Sequence, residues 1–196
     1  MIETRFEGIL IGYENWGDAD RLVSFYTREY GKIQAVAKGI RYEKSKLKGH
    51  LELLTHGRFT IVRRTGRGVV IDALALGTFD AVRLRPQIAY AARMVAEMYD
   101  RYLFTHAFDH GLWELLENTL TALAEEASAR SGEEAVHEKL QSFSRGFLQA
   151  LGYYDESAEM LSVKDTLSRY DALLAHTDLA GPGFGEMHSG LEALSK

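Results

Sequence analysis

Apolar and polar residues alternate along the first part of the chain and then recur at steps of three and four along the second. Lys32-Ile-Gln-Ala-Val-Ala-Lys38 sets Ile33, Ala35 and Ala37 on one face of a strand and Lys32, Gln34 and Lys38 on the other, with Val36 the exception. On this reading Lys32 and Lys38 project to the same, solvated side. Arg58 to Arg64 repeats the pattern, with Phe59 and Ile61 inward and Arg58, Thr60 and Arg64 outward. Turns are marked at Glu29-Tyr-Gly31 and at Thr65-Gly-Arg-Gly68, where glycines supply the positive φ that tight connections need. Five strands are predicted, at roughly 4–13, 21–27, 32–38, 51–63 and 69–78. Short strands with no long helix between them, and bulge-prone glycines at 8, 12 and 17, suit a five-stranded barrel of the OB type. An SH3-like barrel reads almost the same.

From Asp80 onward the period is helical. Pro86 fits the first turn of a helix, and Ile88, Ala92, Val95, Tyr99 and Leu103 follow on one face. Asp109 is placed to cap a second helix bearing Leu112, Leu116, Leu120 and Leu123, with Trp113 alongside. Ser131-Gly-Glu-Glu134 matches a capping box, ahead of a stripe of Val136, Leu140, Phe143, Phe147 and Leu151 that Gly152 ends. A fourth helix is expected over about 163–175, and the glycine-rich stretch after Leu179 reads as a loose tail. The fold class is therefore α+β and multidomain: an OB-type barrel over 1–79, an all-α domain over 80–178, and a flexible tail over 179–196.

Charge is unevenly divided. Residues 1–80 hold 13 Lys and Arg against 10 Asp and Glu, a net of +3, whereas residues 81–196 hold 10 against 18, a net of −8. Between Lys38 and Lys48 stand five basic residues, Lys38, Arg41, Lys44, Lys46 and Lys48, with one acid, Glu43. Such a run repels itself unless it is solvated or paired with anions. It follows a strand and carries an aromatic, Tyr42, which favours a phosphate-contacting surface over a bare solvated loop. With Lys32 and Arg64 on outward strand faces, the candidate nucleic-acid-binding set is Lys32, Lys38, Arg41, Tyr42, Lys44, Lys46, Lys48 and Arg64, with Tyr30 as a second stacking candidate. Asp20 and Arg21, beside a glycine turn, read as a structural salt bridge.

Hydrophobic residues make up 46% of the 196-residue chain, an ordinary globular composition with enough apolar surface for one good core or two small ones. No apolar run approaches the roughly 18 residues that span a bilayer, and no signal pattern opens the chain, so a cytoplasmic location is expected. With no cysteine there is no disulfide framework, thiolate metal site or Cys nucleophile. His106-Ala-Phe-Asp-His110 offers two imidazoles at a helical spacing, but Asp109 reads better as a cap, and His50 and His56 read as surface or hydrogen-bonded turn residues. A nucleotide-binding Gly-x-x-x-x-Gly-Lys loop is absent from the sequence. Neither a catalytic site, a metal nor a cofactor is expected.

Glu7-Gly-Ile9, the tract Gly17-Asp-Ala-Asp-Arg-Leu-Val-Ser-Phe-Tyr-Thr-Arg-Glu-Tyr-Gly-Lys32, Ala35-Val-Ala-Lys-Gly39 and Phe147-Leu-Gln-Ala-Leu-Gly-Tyr153, in this order and spacing, resemble the RecO family of bacterial recombination mediators. The resemblance runs from Ile2 to about Tyr154, and the long tract is its most specific part. Many members carry a four-cysteine zinc ribbon just after the Leu-Gly-Tyr element, so this chain looks like a short form without those cysteines. The resemblance implies an OB-fold followed by a helical domain, and a non-enzymatic protein of the bacterial cytoplasm, associated with the nucleoid. It further implies binding to single- and double-stranded DNA, strand annealing, association with RecR and single-strand-binding protein, and help in loading the RecA recombinase. A rival expectation is a protein-interaction adaptor in which the barrel and the acidic helices bridge repair partners without touching nucleic acid.

Overall fold

The computed structural model describes residues 1–106, 108–129 and 132–152. Five strands form the first part: β1 (Ile2–Trp16), β2 (Asp20–Thr27), β3 (Gly31–Ala37), β4 (Thr55–Arg63) and β5 (Gly68–Thr78). They close into a barrel in the order β1-β2-β3-β5-β4, with β1 pairing to both β2 and β4. Every neighbouring pair is antiparallel except β3 with β5, which run parallel over Ala35↔Gly68 and Val36↔Val69. That parallel closure is the OB arrangement, and it separates this barrel from an SH3-like meander.

The predicted alternation fills the barrel. Phe6, Phe25 and Phe59 meet at its centre with ring centroids 4.5 to 5.8 Å apart, and Ile33, Ala35, Ala37, Ile61 and Val70 surround them. A bulge between Leu10 and Gly12 bends β1 so that one strand serves two neighbours. Gly31 turns the chain between β2 and β3 at φ +67°, held by Thr27, whose hydroxyl donates to the Gly31 carbonyl (2.9 Å) and accepts from the Tyr30 amide (2.9 Å). The fourth strand begins at Thr55 rather than near 51, because residues 51–54 turn back on the barrel: Leu51 is buried, and Leu54, at φ +67°, donates its amide to the Leu10 carbonyl (2.8 Å).

Three helices follow: α1 (Pro86–Tyr102), α2 (His110–Ala129) and α3 (Glu133–Ala150). Pro86 opens α1 as expected, and the stripes of α1 and α2 are buried throughout. The Asp109 carboxylate accepts the Leu112 amide (3.0 Å), the predicted cap. The capping-box Ser131, the expected helix over 163–175 and the tail lie outside the described residues. By compactness the chain forms two units, Met1–Phe143 and Ser144–Lys196. In the second, α3 ends with the Leu151 amide bonded to the Phe147 carbonyl (3.1 Å) and Gly152 at φ +77°, the glycine stop read from the sequence.

Within the first unit α1 packs on the outside of β1, and its side chains reach β2 at Tyr26 and β3 at Lys32. The Tyr26 and Tyr99 rings meet edge to face at 5.0 Å, and the Tyr26 hydroxyl donates to the Asp109 carbonyl at 3.3 Å. Burial, reinforced by the nearby Asp109 carboxylate, pushes the Tyr26 hydroxyl up to about 12, and Tyr99 is raised well above its ordinary value by burial, then by the neighbouring Tyr26 and Asp109. A folded-state value above the unfolded one gives stability that is whole below about pH 10 and lost as pH climbs through about 12. Melting temperature should therefore fall between pH 10 and 12. The fall should be shallower in Tyr26→Phe, which keeps the ring and has no proton to lose; equal slopes would show that Tyr26 titrates normally.

Candidate nucleic-acid interface

The basic run after β3 is a pinned series of turns. Gly39 takes φ +62° and donates its amide to Asp20 Oδ1 at 2.7 Å. The amides of Tyr42, Ser45 and Lys48 then bond carbonyls three residues back, leading into a 3-10 turn at Lys48–His50. Ile40 and Leu51 are buried and Leu47 packs against the barrel core, so the apolar residues of the segment fix it to the barrel. Its charged residues, Lys38, Arg41, Lys44, Lys46 and Lys48, all face solvent, as does Tyr42, at 66% exposure. Tyr30 is also exposed, in the β2–β3 turn. Arg64 is exposed at the start of the β4–β5 turn.

Lys32 departs from the expectation. Its side chain is 8% exposed, its Nζ lies 3.0 Å from Asp100 Oδ1, and it also donates to the Asp100 carbonyl. The strand alternation places Lys32 on the outer face as read, but α1 covers that face, so the ammonium serves helix docking and is withdrawn from the candidate surface. The next turn completes the cover: Lys32 bridges Thr105, and its carbonyl accepts the His106 amide at 2.8 Å.

Asp20 and Arg21 are structural, though not as a pair. Successive residues of a strand point to opposite faces. Asp20 accordingly receives the Gly39 amide, while the Arg21 guanidinium lies 4.2 Å above the Tyr13 ring. Arg41 ties the basic segment to the β1–β2 turn, donating to the Asp18 carbonyl (3.0 Å), while its amide donates to the Ala19 carbonyl (3.0 Å). One end of the barrel thus gathers the β1–β2 turn, the basic segment and, through Arg67 stacked 4.8 Å over Trp16, the β4–β5 turn.

Sequence reasoning overlooked Tyr13, Trp16 and Arg67. Tyr13 and Trp16 are aromatics that stay exposed at the end of a strand, at 46% and 42%, and Arg67 lies inside the glycine turn. A cleft of about 430 Å³ opens beside Tyr13 and Arg21, bordered by Lys48, Arg83 and Arg93 over Leu53 and Val82. Its one acid, Glu52, is paired with Arg83 at 2.7 Å.

Among the described residues there is no cluster of three or more His, Asp or Glu able to hold a metal ion. His106 sits before α2 at φ +67°, and His110 pairs with Glu114 at 3.2 Å, so the two imidazoles do not share a helix face. His56 pairs with Glu7 (3.1 Å) and His50 accepts the Ala75 amide (3.3 Å), as hydrogen-bonded residues of the barrel. No described helix is long and apolar enough to cross a membrane.

The family described as Recombination protein O N terminal matches residues 1–73, most of the barrel. Proteins named DNA repair protein RecO from Bacillus mycoides (strain KBAB4), Bacillus cereus (strain AH187) and Bacillus anthracis are each 29% identical over 121 residues, 62% of this chain and 49% of theirs. The chain thus spans about half the length of the relatives it matches.

Proposed function

We propose that this chain, whose residues 1–73 match the family described as Recombination protein O N terminal, is a RecO-type protein that acts in DNA repair and recombination as a non-catalytic mediator. In this reading residues 1–79 are the nucleic-acid-binding domain and residues 80–178 a helical domain that meets protein partners. The barrel binds single- and double-stranded DNA, promotes annealing of complementary strands and, with RecR and single-strand-binding protein, helps load RecA in the bacterial cytoplasm.

One observation carries the DNA-binding part: Lys38, Arg41, Lys44, Lys46 and Lys48 all stand exposed on a segment whose apolar residues are fixed in the barrel. Cations presented from a rigid base neutralise phosphates and release counterions, which gives affinity that is independent of sequence and steeply dependent on salt. Arg64 extends the positive surface, and Tyr42 offers a ring on which a base can stack. Holding two strands on one positive surface reduces their mutual repulsion, which favours pairing.

The adaptor reading has its own support in Ile71, Leu74 and Leu76, three apolar side chains exposed on β5. A labelled single-stranded oligonucleotide titrated by fluorescence anisotropy at two salt concentrations separates the two. The mediator reading expects binding that weakens steeply with salt. An absence of binding even at low salt would overturn it in favour of the adaptor.

A further inference from the structure

We propose that Trp16 is a base-stacking position for single-stranded nucleic acid, with Arg67 and Lys38 as its phosphate-facing neighbours. This rests on the nucleic-acid reading above and goes beyond it in naming a strand path and a preference for unpaired bases.

The register places the three residues together. Trp16 pairs with Asp20 across the β1–β2 hairpin, and the last β2–β3 pair, Arg21↔Ala37, sets Lys38 one step on, beside Asp20. Trp16, Asp20 and Lys38 therefore share the outer face of the sheet, whereas Tyr13 and Arg21 belong to the inner face along with Val23. Arg67 reaches the same outer face from the β4–β5 turn, its guanidinium 4.8 Å from the indole centroid. In OB barrels the two connections meeting here take part in holding oligonucleotides, and although α1 covers the outer face further along β2 and β3, Trp16 and Lys38 at this end stay exposed.

The chemistry of this corner fits a nucleotide strand. An indole 42% exposed is large apolar area left in water, whereas the other tryptophan of the chain, Trp113, is 1% exposed. The guanidinium of Arg67 is held by a ring, and among the described residues no carboxylate pairs with it. Exposed cations of the connections gathered here, Lys38, Arg41, Lys44, Lys46, Lys48, Arg64 and Arg67, outnumber the exposed acids Glu14, Asp18 and Glu43, and Asp20 already accepts the Gly39 amide. That excess selects a polyanion over an acid-poor protein surface, and the ring selects a ligand with its own π-faces. In a duplex each base is already stacked on its neighbours, so only an unpaired base is free to lie on the indole.

The test uses intrinsic fluorescence of the full chain. Trp113 is buried, so quenching by an added thymidine oligonucleotide reports on Trp16. We expect quenching that saturates with the anisotropy signal and disappears in Trp16→Phe. Trp16→Ala should weaken single-strand binding by about 5- to 150-fold, leaving its salt slope and duplex affinity unchanged. Anisotropy showing binding while the parent's emission stays constant, or equal quenching in Trp16→Phe, would overturn the stacking site and leave the DNA-binding reading standing. No binding by either signal would overturn both.

Discussion

Asp100→Ala is expected to lower the unfolding free energy by about 3 kcal/mol, the largest loss from any single charged-to-neutral exchange we foresee at the helix-to-barrel contact. The carboxylate faces Lys32, whose side chain is 8% exposed, across 3.0 Å. Removing it leaves an ammonium in a site walled by α1 and β3, with only the Asp100 carbonyl still accepting from it. Breaking a buried pair costs about 3–5 kcal/mol, and the lower end applies because a third of the Asp100 side chain remains open to water. Replacing both partners by apolar residues, Lys32→Met with Asp100→Leu, should restore most of the loss, since no unpaired charge then remains. Gly12→Ala should act through the same contact: a Cβ at Gly12 would collide with the Asp100 carboxylate. Its effect should accordingly be smaller in the Asp100→Ala background than alone. Urea unfolding measures all four variants. A loss below about 1 kcal/mol for Asp100→Ala would mean that Lys32 finds water and that the pair is not a determinant of docking.

How far the sequence foretold this contact is instructive. Alternation gave the correct outer face for Lys32 and the correct inner face for Ile33, Ala35 and Ala37, because a barrel core imposes its period on every strand crossing it. It could not say that a helix would cover the outer face as well. The clue lay in β2, where Leu22-Val-Ser-Phe-Tyr-Thr27 is buried at all six positions. A strand buried on both faces reads as a nearly continuous apolar run, and its neighbour's Val36, the exception to alternation, belongs to the same covered patch. Helix positions were legible for the matching reason: Pro86, Asp109 and Gly152 are local signals whose meaning does not depend on distant partners. Trp16 with Arg67, and Tyr13 with Arg21, were hidden because each depends on pairing register or barrel closure. The basic segment stood out as a charge run, yet its rigidity did not, because that rests on Ile40, Leu47 and Leu51 fitting a core built by other strands.

That rigidity is what makes the functional variant decisive. Replacing Arg41, Lys44, Lys46 and Lys48 together by Ala should lower the slope of log affinity against log salt by about 2.8 for single-stranded DNA, at roughly 0.7 for each lost phosphate contact. Binding should weaken alike for all sequences, and annealing of complementary oligonucleotides should slow. The fold should hold, since the buried residues that pin the segment are untouched and the four side chains are exposed. Arg41 needs a control of its own, because its guanidinium also bonds the Asp18 carbonyl and braces the β1–β2 turn. The triple Lys44, Lys46 and Lys48 variant keeps that brace and should still lower the slope by about 2.1. If the quadruple variant alone loses affinity, Arg41 acts by positioning the turn; if both lose slope in proportion to the charges removed, the lysines touch phosphate directly. Unchanged slope and annealing in a correctly folded quadruple variant would remove this segment from the interface and leave the corner around Trp16, Lys38 and Arg67 to bind the strand by itself.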